Sequence, residues 1–91
     1  MKHFIYTYSE KQRRGTTEKT VRIYRLKRGI PHCVGSRTDT YVSEFQLVME
    51  AMQANRLLPA KAFEPNQFGG FKYSYSSQLE EAGIASVRRV S

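Results

Sequence analysis

Alternating apolar and polar positions predict β-strands in the first part of the chain. In residues 3–9, aromatic and β-branched side chains alternate with a period of two residues, which is typical of a half-buried strand. Residues 19–27 alternate in the same way, with Val21 and Ile23 on one side. Residues 11–17 are polar and contain a glycine, so we expect a hairpin loop between these two strands.

A third, shorter strand is predicted after a turn at Arg28 and Gly29. It covers about residues 32–36, and Pro31 indicates that it starts there or lies at a sheet edge, because proline cannot donate to a strand ladder. The first three strands are therefore predicted to form a meander.

The period becomes helical over residues 41–58, which are predicted as the main helix. Thr40 or Ser43 is predicted to cap its start, Ser43 and Gln46 have the spacing of a capping box, and Pro59 lies just beyond its end. Two apolar stripes, each with spacings of four, three and four residues, run on nearly opposite sides of this helix. The first stripe is Tyr41, Phe45, Val48 and Met52, and the second is Leu47, Ala51, Ala54 and Leu58.

The second stripe predicts a contact beyond the ordinary core, because a surface helix needs only one apolar face. In one interpretation the C-terminal segment covers this stripe. In the other, the chain is a small protein-interaction or inhibitor module that docks on a larger intracellular protein or forms a homodimer. Its interaction face is then formed by Leu47, Ala51, Ala54 and Leu58.

The C-terminal part predicts one or two further strands. Residues 60–70 are predicted as a loop, residues 71–76 as a fourth strand and residues 84–90 as a last strand, with a short helix ending at Gly83 between the two strands. The order of elements predicts a single α+β domain over residues 1–91, in which a small antiparallel sheet packs on one main α-helix.

Positive charge is concentrated in the predicted meander. The chain carries 15 Lys and Arg against 8 Asp and Glu, a formal net charge of +7. Residues 1–40 hold ten of the cations and three of the acids, whereas residues 41–91 hold five of each. A localised excess of positive charge produces a directed field, which favours a nucleic-acid partner.

The basic strands therefore predict a non-enzymatic nucleic-acid-binding module, with DNA as the expected ligand. Guanidinium groups bind phosphate through two hydrogen bonds, and tyrosine rings that face outward stack on unpaired bases. Tyr6 and Tyr8 are further candidates for stacking. The predicted binding residues are Arg13, Arg14, Lys19, Arg22, Tyr24, Arg25, Lys27, Arg28 and Arg37.

The sequence gives weaker evidence for an enzyme than for a nucleic-acid-binding module. A small ribonuclease or toxin would use His32, Glu18 and the arginines as base and charge stabilisers. Cys33 and Arg37 are separated by three residues, fewer than the five in the phosphate loop of cysteine phosphatases, so we do not expect that activity. No metal site and no cofactor are expected, because the chain contains only two histidines and one cysteine.

The expected location is the cytoplasm. A lone cysteine cannot form an internal disulfide, which favours a reducing compartment. The segment that follows Met1 lacks the apolar core of a secretory signal. No apolar run approaches the roughly 20 residues that a membrane span needs, so a membrane partner is not expected.

Overall fold

The computed structural model describes residues 1–58 and 79–91. The predicted loop 60–70, the predicted strand 71–76 and Pro59 lie outside the described residues. The described elements are β1 (Lys2–Arg13), β2 (Thr16–Lys27), β3 (Ile30–Asp39), α1 (Glu44–Ala54) and β4 (Ile84–Arg89).

The strands form one sheet in the order β3-β2-β1-β4. The predicted α+β class and the antiparallel three-stranded meander are confirmed. The antiparallel prediction is wrong for the last strand, because β4 pairs with β1 in parallel and the sheet is mixed. The long connection between β1 and β4, which includes α1, permits this parallel return. Alternation alone does not encode strand direction.

Both hairpins turn through two residues. The loop predicted at 11–17 is mostly strand, and only Arg14 and Gly15 form the turn, with φ of 48° and 83°. The second turn repeats this arrangement at Arg28 and Gly29, with φ of 54° and 77°. Left-handed conformations at both central positions match the right-handed twist of the flanking strands. The strands are therefore longer than predicted, and β1 and β2 form a long ribbon.

Helix α1 begins after Ser43, whose Oγ accepts a hydrogen bond from the Gln46 backbone N–H at 3.2 Å. The predicted cap is therefore confirmed, although the helix is shorter than the predicted 41–58. At the other end, the Asn55 side chain lies over Gly35 of β3, where a Cβ atom would collide with it. Asn55 Nδ2 also donates to the Ala51 carbonyl at 2.7 Å, so the helix terminus is fixed against β3.

The predicted interaction face is wrong, because most of it is core. Leu47 and Ala51 are fully buried and Leu58 is 4% exposed, while Ala54 alone of the four is exposed. The side of α1 that lies between the two stripes faces the sheet, so residues from both stripes are buried. Those helix residues pack in one cluster with sheet residues; the cluster includes Phe4, Tyr6, Val21, Ile23, Leu47, Val48, Ala51 and Met52.

None of the helical segments in the described ranges has the length and apolar character that a membrane crossing requires.

Candidate functional site

The sheet has a second face, opposite α1, which we call the open face. Tyr6 pairs with Ile23 under the helix, so the alternate pairs Ile5–Tyr24 and Thr7–Arg22 point the other way. No element in the described part of the chain packs against this face. The open-face residues include His3, Ile5, Thr7, Ser9, Lys11 and Arg13 of β1, Thr16, Glu18, Thr20, Arg22, Tyr24 and Leu26 of β2, Pro31, Cys33, Ser36 and Thr38 of β3, and Ser86 and Arg88 of β4.

Among the described residues, the open face carries four cations, Lys11, Arg13, Arg22 and Arg88, and one acid, Glu18. The Arg13 Nε atom lies 3.6 Å from Glu18 Oε1, so this acid is engaged at the end of the ribbon. Arg22 is exposed and has no ion-pair partner among residues 1–58 and 79–91. The centre of the open face is therefore positively charged and accessible to an anionic ligand.

A shallow depression of about 470 Å³ lies on the open face. Small hydroxyl side chains line it, and the hydroxyls of Thr20 and Thr38 lie 2.9 Å apart across β2 and β3. Hydroxyl groups both donate and accept hydrogen bonds, so this surface can bind phosphate or base edges. The residues that line it are Thr7, Ser9, Lys11, Glu18, Thr20, Arg22, Tyr24 and Ser91.

On the helix side, Glu44 of α1 joins three elements. Its Oε2 accepts a hydrogen bond from the Tyr6 hydroxyl at 2.8 Å, and its Oε1 accepts one from Arg89 Nη1 of β4 at 2.9 Å. Burial and this contact with Glu44 raise the pKa of Tyr6 to about 12. The Arg89 guanidinium also lies 4.9 Å from the centre of the Tyr8 ring. Glu44 therefore fixes the helix start to both β1 and β4.

Tyr8 and Glu10 also lie on the helix side of β1. The Tyr8 hydroxyl donates to Glu10 Oε1 at 2.7 Å, and burial together with this bond raises the pKa of Tyr8 to about 12. Tyr6 is 8% exposed. Tyr6 and Tyr8 are candidates for stacking only if their rings face outward, and both lie on the helix side. Of the three tyrosines, Tyr24 lies on the open face.

Two of the predicted binding cations support the connection to the helix. Lys19 Nζ donates to the Val42 carbonyl at 3.0 Å, and Arg37 Nε lies 3.4 Å from Glu50 Oε2. Asp39 accepts hydrogen bonds from the backbone N–H groups of Thr40 and Tyr41, which lower the pKa of its carboxyl group. These contacts fix the chain between β3 and α1.

The structure separates the nine predicted binding residues into three groups. Arg13, Arg22 and Tyr24 lie together on the open face. Arg14 and Arg28 occupy the two hairpin turns, about 40 Å apart for a ribbon of 12 residues. The remaining four, on the helix side of β2 and β3, are Lys19, Arg25, Lys27 and Arg37.

Two open-face cations, Lys11 and Arg88, are absent from the predicted set. Lys11 continues the alternation of Ile5, Thr7 and Ser9 on β1, but the polar sequence of residues 11–17 predicts a loop and so does not indicate its face. Arg88 reaches the open face because β4 pairs in parallel with β1 and places it beside Ile5. No local signal in the sequence indicates that pairing.

The structure does not bring together the residues named for a ribonuclease. Glu18 and His32 lie on opposite faces of the sheet, and their positions along β2 differ by seven residues, which is about 24 Å. Cys33 and Arg37 belong to the extended strand β3, where backbone amides do not encircle an anion. The described residues also hold no group of three potential metal ligands.

No protein family, no curated protein and no solved structure matches this chain. Its function must therefore be argued from the open face itself.

Proposed function

We propose that the chain is a non-enzymatic nucleic-acid-binding module that binds DNA through the open face. The observation that supports this most directly is the segregation of the acids. Glu10, Asp39, Glu44 and Glu50 all lie on the helix side and contact a hydroxyl, an amide or a cation there. In the part of the chain that the structure describes, the open face therefore has one acid and four cations.

The open-face side chains suit the chemistry of a nucleic-acid backbone. Arg22 and Arg88 provide guanidinium groups that bind phosphate through two hydrogen bonds, and Lys11 provides a point charge. Thr7 and Thr20 add hydroxyl donors close to Arg22. Binding by such contacts needs no catalytic group, only exposure and a surplus of positive charge.

The two hairpin turns supply a second observation. Within the described residues, the non-glycine residues with positive φ are Arg14, Arg28 and Arg56. This conformation costs side chains such as arginine about 1–2 kcal/mol, and asparagine or glycine is favoured at the first position of these turns. Arginine at both turns places a guanidinium at each end of the ribbon at the expense of stability, as expected where charge is needed for binding.

Salt dependence tests the proposal. If the four open-face cations neutralise four phosphates, the slope of log affinity against log salt concentration is about −3.6 for duplex DNA and −2.8 for a single strand. The measurement is fluorescence anisotropy of labelled DNA and RNA of one sequence at several salt concentrations. Tighter binding of the DNA supports the proposed ligand, whereas a flat response for both polymers contradicts the proposed function.

A protein-interaction role is the alternative, and it needs a surface other than the buried stripe. Tyr41 is 89% exposed just before α1, and Phe45 of the first turn is 48% exposed. A homodimer or a complex formed there would be lost in Tyr41→Ala without unfolding, and DNA binding would not change. Measuring the mass in solution of the wild type and of Tyr41→Ala shows whether such a complex forms and whether it depends on Tyr41.

A further inference from the structure

Tyr24 lies on the open face between two side chains that carry no charge. Its strand partners are Ile5 on β1 and Cys33 on β3. Side chains of directly paired residues lie about 5 Å apart, so Ile5 and Cys33 flank the Tyr24 side chain, which remains partly exposed. An aromatic ring in such a position is a platform on which a base can stack.

Cations flank this platform in two directions. Arg22 lies two residues away along β2, and Arg88 lies in the same row as Tyr24, two strands away or about 10 Å. The nearest described acid on this face is Glu18, six residues from Tyr24 along β2 or about 20 Å. A base on Tyr24 would therefore have its neighbouring phosphates within reach of two guanidinium groups.

The width of the sheet argues against a duplex on this platform. Its outer strands β3 and β4 are about 14 Å apart, more than the roughly 12 Å of a major groove, so the four-stranded part cannot enter one. In a duplex the bases also stack on one another, and no base face is available to Tyr24. A platform of this kind therefore selects a strand with unpaired bases.

Among the described strands, the end of the β1–β2 ribbon is the part that is narrow enough for a groove. β3 last pairs at Asp39 with Lys19, and on the other side the chain after β4 last bonds to the Tyr8 amide. The ribbon beyond these points is less positively charged than the platform, because it carries Glu10 and Glu18 together with Lys11, Arg13 and Arg14.

We infer that the ligand of the open face is single-stranded, with one unpaired base stacked on Tyr24 and its flanking phosphates bound by Arg22 and Arg88. This inference depends on the proposed function and specifies its ligand. This binding mode differs from insertion of the β1–β2 ribbon into a groove, in which Lys11, Arg13 and Arg14 would contribute most of the affinity.

The test compares labelled oligothymidine with a duplex of equal length, using wild-type protein and Tyr24→Ala. The single strand should bind more tightly, and Tyr24→Ala should weaken its binding by roughly 5- to 150-fold, the measured range for one stacked base. Tyr24→Phe keeps the ring and should retain most of the affinity. Tyr41→Ala, an exposed tyrosine outside the open face, is the matched control and should bind as wild type.

Two results would overturn the inference while leaving the proposed function intact. One is tighter binding of the duplex than of the single strand. The other is unchanged oligothymidine affinity in Tyr24→Ala while Arg22→Ala weakens binding, with thermal unfolding by circular dichroism showing that both variants are folded. No binding of either polymer by the wild-type protein would instead overturn the proposed function, and the inference with it.

Discussion

The two faces of the sheet are formed by alternate residues of the same strands, and they differ in whether their cations are paired with acids. On the helix side, Glu44 contacts Tyr6 and Arg89, and Glu50 contacts Arg37, so acids and cations are paired around an apolar core. On the open face, Glu18 is the one acid among the described residues, and it contacts Arg13 and not Arg22. A strand can therefore contribute stability through one set of residues and a ligand surface through the next.

This comparison predicts that substitutions on one face change stability and those on the other change binding. Ile23→Ala should have the largest effect, because Ile23 is fully buried and truncation leaves a cavity under α1. The expected loss is about 2–5 kcal/mol of unfolding free energy. Arg22→Ala, the adjacent residue on the open face, should change it by less than about 0.5 kcal/mol. Urea unfolding of both proteins checks the contrast, and equal losses would contradict it.

The next largest effect is expected at alkaline pH, which should lower the unfolding free energy through Tyr6 on the helix side. The pKa of Tyr6 is about 12 in the folded protein, against 10 for an exposed phenol. The unfolded chain therefore loses this proton first, so the stabilisation is complete below pH 10 and is lost as the pH rises to about 12. The shift corresponds to about 2–3 kcal/mol. Tyr6→Phe should show a smaller decrease in stability between pH 10 and 12, and an identical decrease would contradict the role of Tyr6.

Glu44→Ala should destabilise the protein by about 1–3 kcal/mol, because the Tyr6 hydroxyl loses its acceptor and Arg89 loses its ion pair. Glu44→Gln keeps one acceptor oxygen and should lose less. Thermal unfolding measures both variants. Equal stability of Glu44→Ala and wild type would show that the contact between α1, β1 and β4 does not matter.

The smallest predicted effect is at the first hairpin turn. Arg14→Asn should raise the unfolding free energy by about 0.5–1 kcal/mol, because asparagine tolerates the left-handed conformation better. The same variant should bind DNA more weakly, since a cation is lost. Gly15 remains in place and preserves the turn. A loss of stability, or an unchanged affinity, would contradict the explanation given for arginine at this position.

The helix-side face can be predicted from the sequence because a strand with one buried face has apolar residues at every second position. The alternation in residues 19–27 predicts that Val21 and Ile23 share one side, and the structure confirms this, with Arg22 and Tyr24 on the other side. The α+β class follows from the change of period after β3. The cap at Ser43 is also confirmed, because its hydrogen bond is local.

The remaining features depend on contacts that are distant in sequence. Arg88 joins the open face only through parallel pairing with β1, which local alternation does not specify. The helix stripes are ambiguous because the sheet contacts the side between them, burying Leu47 and Val48 together. Residues 11–13 are polar on both sides, so their strand conformation leaves no apolar period to detect.

The central claim is that the open face, and not the total charge of the chain, binds DNA. Two double variants test it, each removing two cations from opposite sides of the sheet. Arg22→Ala with Arg88→Ala should lower the affinity about tenfold or more and make the salt dependence less steep, whereas Arg25→Ala with Lys27→Ala should change both much less. Equal losses in the two variants would show that binding follows net charge alone, and would contradict the account.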